Sequence, residues 1–343
     1  MADSTRARLV QLSRLAVLLV LVVIILGAWT RLRDAGLGCP DWPTCYGHYT
    51  VPTTPEALAR ASALYPGQVV DPAKAWPETI HRFFAAGIGF VILVMAGWLW
   101  TLRRSRPDLP WRHALALLLL VSCQGGFGAL TVTEKLYPPV VTTHLLLGFA
   151  TLTGLVLLSL RLSSAFASAA LSRSRAADLR PLVRVALVVV LAQIFLGGWT
   201  AANYAAAVCT DLPICQPGWQ QAWSPAQAFA LFHPDDRSFE FAPHLDASAK
   251  VTIHAAHRIG AMITTVVLLL LVWRLWSQAA SGRYRGFAMA VAGLLLLQLV
   301  LGVINVKAGL PLWNAVAHNL VAALLLQVLV MLAFALHRDM RRG

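Results

Sequence analysis

Of the ten histidines in this chain, four recur as matched pairs inside apolar stretches: His81 with His257, and His144 with His318. Ionisable side chains surrounded by hydrocarbon are costly and usually serve function. Two imidazoles on parallel helices at one depth suit the axial positions of a haem iron. Neutral nitrogen ligands and apolar walls match an apolar macrocycle with charged propionates. Zinc fits less well, because no further Cys or acidic ligands accompany these histidines at that depth. Arg82 follows His81 and Arg258 follows His257, so each pair has a guanidinium able to hold a propionate bidentately. Snorkelling to the lipid boundary is the plainer reading of both arginines. Arg31, with no arginine at its counterpart, is a weaker candidate of the same kind.

The two sets differ at one position. Three residues before His81 stands Glu78, and three before His257 stands His254. That spacing puts each on the helical face of the ligand candidate. A carboxylate there can accept a proton or stabilise developing positive charge. Chemistry is therefore expected beside Glu78, with an electron-transfer or structural haem beside His254. A solvated Glu78 that merely favours a helix N-terminus is the competing reading. His48, His233, His244, His113 and His337 carry no site expectation. Two cysteine pairs, Cys39/Cys45 and Cys209/Cys215, flank these sites; each could be a disulfide, a metal clip or a redox pair.

What positions these groups is a membrane scaffold. The chain has 343 residues, 58% hydrophobic and 13% charged, more apolar surface than a soluble protein of this size could hide. Eight apolar runs, near 12–30, 79–101, 112–132, 138–160, 182–203, 251–276, 286–306 and 312–336, are long enough to span about 30 Å of hydrocarbon. The first is read as a retained helix, since no small-residue cleavage site ends it. Basic residues gather at the N-terminus, in the 102–113 and 273–286 loops, in the 161–184 linker and at the C-terminal tail. The long segments 31–78 and 204–250 are near neutral or acidic. By the positive-inside rule both termini are cytoplasmic and both long loops periplasmic. The net charge of +13 is thus a topology signal, and nucleic acid is excluded as a partner. With no Arg/Ser-rich transit peptide before the first span, a bacterial inner membrane is expected, and the lipid bilayer is the first partner.

The chain also repeats. Residues 26–45 answer 196–215 at an offset of 170, matching at nine of twenty positions that include both cysteine pairs. The segment around His81 answers that around His257 at 176. Gln124, Gly128, Val132, Leu136 and His144 answer Gln298, Gly302, Val306, Leu310 and His318 at 174. The expected fold is an all-α polytopic membrane protein of eight transmembrane helices, arranged as two parallel-repeat four-helix bundles. Residues 1–160 form the N-terminal half, 161–181 a cytoplasmic linker and 182–343 the C-terminal half. Each half has an even number of spans, so the two share one orientation. Gly125, Gly126, Gly128, Gly197 and Gly198 are expected to permit close helix approach, and Cys123 to be a packing residue.

Together, G-x-W-T-R-L at Gly27–Leu32, the Cys39–Cys45 loop, E-x-x-H-R at Glu78–Arg82, H-x-x-H-R at His254–Arg258 and the lone histidines His144 and His318 resemble the haem A synthase family over nearly the whole chain. The resemblance implies oxidation of a porphyrin methyl group of haem O to a formyl group by successive hydroxylations, giving haem A for terminal oxidases. It implies that His81 and His144 ligate the substrate or product haem, that His257 and His318 ligate a haem b, and that Glu78 is the catalytic carboxylate. Haem O synthase and terminal oxidase assembly proteins then become candidate partners, and a homo-oligomer stays open. The chain departs from family members known to carry hydroxylated residues after R-L, having Arg33, Asp34 and Ala35 there.

Two rival classes remain at this level: a non-catalytic two-haem b cytochrome, and a transporter built from parallel repeats. Glu78 without a counterpart speaks against the first. Polar residues clustered near the outer face rather than the midplane speak against the second. On the oxidising side of a membrane, disulfides Cys39–Cys45 and Cys209–Cys215 are favoured over metal clips. A structural staple explains both copies equally; redox cycling of the first remains open.

Overall fold

The computed structural model describes residues 2–166, 168, 170–231, 245–278 and 282–342. Eight helices among them are long and apolar enough to cross a membrane: α1 (Ala2–Leu32), α3 (Pro72–Leu102), α4 (Trp111–Thr133), α5 (Pro138–Leu162), α6 (Arg173–Ala202), α8 (Ala247–Gln278), α9 (Gly282–Lys307) and α10 (Leu312–Arg342). Two short helices, α2 (Pro55–Leu64) and α7 (Pro225–Ala228), and a 3₁₀ turn at Trp219–Ala222 lie in the two long loops. The helices overrun the apolar runs. α3 starts at Pro72 rather than 79, with Pro72 in its first turn and the Asp71 carboxylate accepting from the Ala73 N–H at 2.9 Å. α6 starts at Arg173, so residues 173–181 of the linker are helical. His233 and His244 lie outside the described residues.

α1 and α4 each pack on both α3 and α5, closing a ring with α3 and α5 on its diagonal. In the same way α6 and α9 each pack on α8 and α10, leaving those two diagonal. Contacts of α1 with α10, and of α5 with α6 and α10, join the rings. The packed faces follow helical spacing: Ile88, Ile92, Met95 and Leu99 on α3, Leu152, Leu155, Leu158 and Leu162 on α5, Leu268, Leu271 and Leu275 on α8, and Leu325, Leu329, Leu332 and Leu336 on α10. Leu18, Phe90, Val188, Leu269, Trp273 and Leu296 point outward, as lipid-facing residues do. With no hydrophobic drive between helices in lipid, side-chain packing and a few polar ties hold the bundle. One such tie crosses between the rings, from the Gln327 amide to the Thr153 hydroxyl at 3.2 Å.

The ends are fastened differently. At the arginine-rich end, Asp339 is fully buried; one of its oxygens accepts from the Tyr284 hydroxyl at 2.8 Å and the Leu171 N–H at 3.0 Å. That ties the linker to α9 and α10. At the opposite end α1 and α6 finish alike: the Ala35 N–H reaches the Thr30 carbonyl and the Ala205 N–H the Thr200 carbonyl, with Asp34 and Tyr204 left-handed. Each helix thereby turns directly into a cysteine-bearing loop.

Candidate functional site

Both cysteine pairs are bonded. Cys39–Cys45 has an S–S distance of 2.12 Å and Cys209–Cys215 one of 1.93 Å, each with Cα atoms 4.7 Å apart. In the first loop the Asp41 carboxylate accepts from the Tyr46 N–H at 2.6 Å, the Gly47 N–H at 3.0 Å and the Thr44 hydroxyl. The Tyr46 phenol, outside the span, is held above its ordinary range, first by burial and then by the carboxylates of Asp71, Glu78 and Asp41. Cys123 is exposed on α4, not packed in the core, because its face of that helix has no neighbour among the described residues.

Glu78 is buried rather than solvated, at 4% exposure, so a mere N-terminal dipole role does not describe it. One carboxylate oxygen accepts from the Cys39 N–H at 2.9 Å and the other from the Arg82 guanidinium. Arg82 in turn donates to the carbonyls of Asp41 at 2.8 Å and Thr44 at 2.6 Å. Instead of snorkelling, it ties the disulfide loop to α3. The second ring repeats this arrangement with one substitution. Arg258 donates to the carbonyls of Asp211 at 2.6 Å, Ile214 at 2.8 Å and Cys209 at 2.5 Å, and its Nε–H meets His254 Nε2 at 3.1 Å. The Cys209 N–H faces His254 Nδ1 at 3.3 Å. The same loop and arginine therefore grip a carboxylate in one ring and an imidazole in the other. An imidazole can be neutral or cationic; only the first ring can place a negative charge there.

Pro77 precedes Glu78 inside α3, whereas Ile253 holds that place in α8. A proline within a helix removes one N–H and crowds the preceding turn. The Thr30 hydroxyl of α1 donates to the Pro77 carbonyl at 3.2 Å, fixing the segment that carries the carboxylate. Arg31 lies between the rings: it donates to the Ala201 carbonyl at 2.9 Å and sits 4.0 Å over the Tyr204 ring.

The four paired histidines sit on the diagonal helices, α3 with α5 and α8 with α10, across the centre of each ring. Each packs against a glycine of a neighbouring helix. A Cβ on Gly27 would lie 2.9 Å from His81 Cε1, on Gly128 3.2 Å from His144, on Gly197 3.2 Å from His257, and on Gly302 3.4 Å from His318. Of the glycines expected to bring helices together, Gly198 does so against Thr142 and Leu145, while Gly128 and Gly197 instead seat histidines and Gly125 and Gly126 face open space. Nδ1 of His81, His144 and His318 is buried without a hydrogen-bond partner. Imidazoles whose buried Nδ1 atoms are unpaired, seated in cradles a methyl would fill and paired on helices that do not pack on each other, fit a planar macrocycle taken between them. The glycines, and the amides of Gln193 and Gln298 that reach His257 and His318, were not singled out as site residues from sequence. The glycine offsets of 170 and 174, and that of 174 between Gln124 and Gln298, match those of the repeat and were the available signal; Gln193, with Val23 at its counterpart, had none.

The sequence profile of the COX15-CtaA family, described as cytochrome oxidase assembly protein, matches residues 11–330. A haem A synthase of Shewanella oneidensis is 46% identical over 329 residues, covering 96% of this chain and 97% of the relative. Haem A synthases of Sphingopyxis alaskensis and Novosphingobium aromaticivorans are 29% and 28% identical, covering 95% and 94% of this chain and 90% and 94% of the relatives.

Proposed function

This chain belongs to the COX15-CtaA family, and from that footing we propose how its two rings divide the work of turning haem O into haem A. The reaction oxidises a porphyrin methyl group to a formyl group by successive hydroxylations. His81 and His144 hold the substrate and product haem in the ring of α1, α3, α4 and α5. His257 and His318 hold a resident haem b in the ring of α6, α8, α9 and α10, and that group, when bound, supplies electron transfer. The halves, 1–160 and 182–343, are parallel repeats joined by the linker.

The observation that carries this division is the exchange of Glu78 for His254 within otherwise equivalent hydrogen-bonded clamps. Glu78 Oε1 and Oε2 each face a donor, so the carboxylate is held one helical turn from His81. From there it stabilises positive charge that develops at the attacked carbon. Arg82 and Arg258 fix the disulfide loops over the two sites, with propionate contact as their second role; Arg31 is the further propionate candidate. The disulfides act as staples. The disulfide ends of the helices face the periplasm and both termini the cytoplasm of a bacterial inner membrane. Haem O synthase upstream and terminal oxidase assembly proteins downstream are the partners this chemistry calls for. The test is co-expression with a haem O source: Glu78→Ala is expected to abolish haem A while retaining bound haem. Unchanged haem A production removes Glu78 from the chemistry.

A further inference from the structure

The imidazoles of the two rings are not held equally. His257 Nδ1 lies 3.0 Å from the Gln193 amide, which also bonds the His257 carbonyl at 3.0 Å. His318 meets the Gln298 amide through Nε2, at 3.1 Å, and its Nδ1 is buried and unpaired, so the Nδ1 contrast between the rings rests on His257. Neither His81 nor His144 has a side-chain partner, and both Nδ1 atoms are buried and unpaired. At the third position the residue type does not explain the difference: Gln124 stands where Gln298 does, yet its amide turns toward Gly148 and leaves its oxygen without a partner. At the remaining position the sequence itself differs. Gln193 precedes its cradle glycine, Gly197, by four residues; in the first ring Val23 precedes Gly27 by four. His81 faces the main-chain carbonyl of Val23, in geometry short of a hydrogen bond, and no amide is there to help.

A ligating Nε2 leaves Nδ1 protonated, and the partner of that N–H orients the ring and raises its basicity. Half a turn of the Gln193 amide brings Oε1, otherwise unpartnered, onto Nδ1–H, and gives up the amide's bond to the His257 carbonyl in exchange. Valine can do nothing of the kind. We propose that position 23/193 decides which ring keeps its haem: Gln193 fixes His257 with a side-chain amide and makes the second site resident, while Val23 offers His81 no side-chain partner and makes the first site exchangeable. The inference rests on the haem-ligand reading above and adds the residue that sets residence. An enzyme whose product is a haem must release it, and a site with one weakly oriented ligand does so. Val23 and Gln193 are positioning residues, acting through His81 and His257.

The experiment is transfer of haem from the haem-loaded, full-length protein to excess apomyoglobin, followed in the Soret band. Wild type should release haem in a fast phase from the first ring and a slow phase from the second. Val23→Gln should slow the fast phase about tenfold or more, the scale of outer-shell effects on metal affinity; a packing defect can only speed release. Gln193→Val should quicken the slow phase by a similar factor, and Gln193→Glu, which keeps an oxygen acceptor, should preserve it. A fast phase within about twofold of wild type in Val23→Gln, or an unchanged slow phase in Gln193→Val, overturns the proposal. If Val23→Gln does not accumulate, the two Gln193 variants decide alone. His81→Ala separates the underlying reading: it must abolish the fast phase, and its persistence would mean that His81 is no haem ligand.

Discussion

The glycine cradles allow a graded test of the site geometry. Four single Gly→Ala substitutions add one methyl each, against four histidines, at 2.9 Å for Gly27, 3.2 Å for Gly128 and Gly197, and 3.4 Å for Gly302. Carbon atoms rest at about 3.5–4.0 Å, so the His81 ring must retreat by at least about half an ångström from an alanine at 27. The ring is rigid and sits between two packed helices, so the strain falls in the range of overpacked cores, about 1–3 kcal/mol. Against that, alanine is intrinsically better than glycine in a helix by about 1 kcal/mol. The balance predicts a net loss for Gly27→Ala, small effects at Gly128 and Gly197, and neutrality or a gain at Gly302. Because ligand geometry tolerates only about 0.5 Å of displacement, Gly27→Ala should also lose haem from the first ring while keeping that of the second. Haem per polypeptide, from pyridine haemochrome spectra of the purified variants, and Tm in detergent are the readouts. A Gly27→Ala protein with full haem content beside a depleted Gly302→Ala protein would refute the cradle reasoning.

Other outcomes follow from the same contacts. Arg82→Ala leaves the buried Glu78 carboxylate and two loop carbonyls without their donor, so a loss of about 3–5 kcal/mol is expected in denaturant titration, unless Glu78→Gln is added to relieve it. Asp339→Ala strands the Tyr284 hydroxyl and the Leu171 N–H at the arginine-rich end; it should lower Tm by several degrees yet leave the haem spectrum unchanged. Mass spectrometry of the unreduced protein should find Cys39 joined to Cys45 and Cys209 to Cys215, with Cys123 alone labelled by a membrane-permeant maleimide.

Much of this was legible in the sequence because lipid imposes simple rules. Eight apolar runs became eight long helices, and repeat offsets brought His81, His144, His257 and His318 onto the diagonal helices. Helix ends were less legible: Pro72–Glu78 is too polar to register as part of a span, and Pro77 reads as a break. Thr30 on α1 supports that proline, a contact between residues 47 positions apart. The role of Arg82 and Arg258 was hidden for the same reason. A guanidinium beside a histidine suggests an anion, and only the fold shows disulfide-loop carbonyls bent back to meet it. Glu78 could be placed on the correct helical face from its spacing, but its burial and its bond to the Cys39 N–H depend on that loop. Cys123 looked like core because its helix is apolar all round, and in a membrane an apolar face can equally meet lipid.

The central claim is that one ring processes haem O and the other keeps a haem b. Chromatography and mass spectrometry of the pigment extracted from the purified full-length protein, expressed with a haem O source, test it most directly. The account predicts haem O or haem A together with haem b in wild type, and haem b alone when His81 is replaced by alanine. Haem b as the sole pigment of the wild-type protein would contradict it.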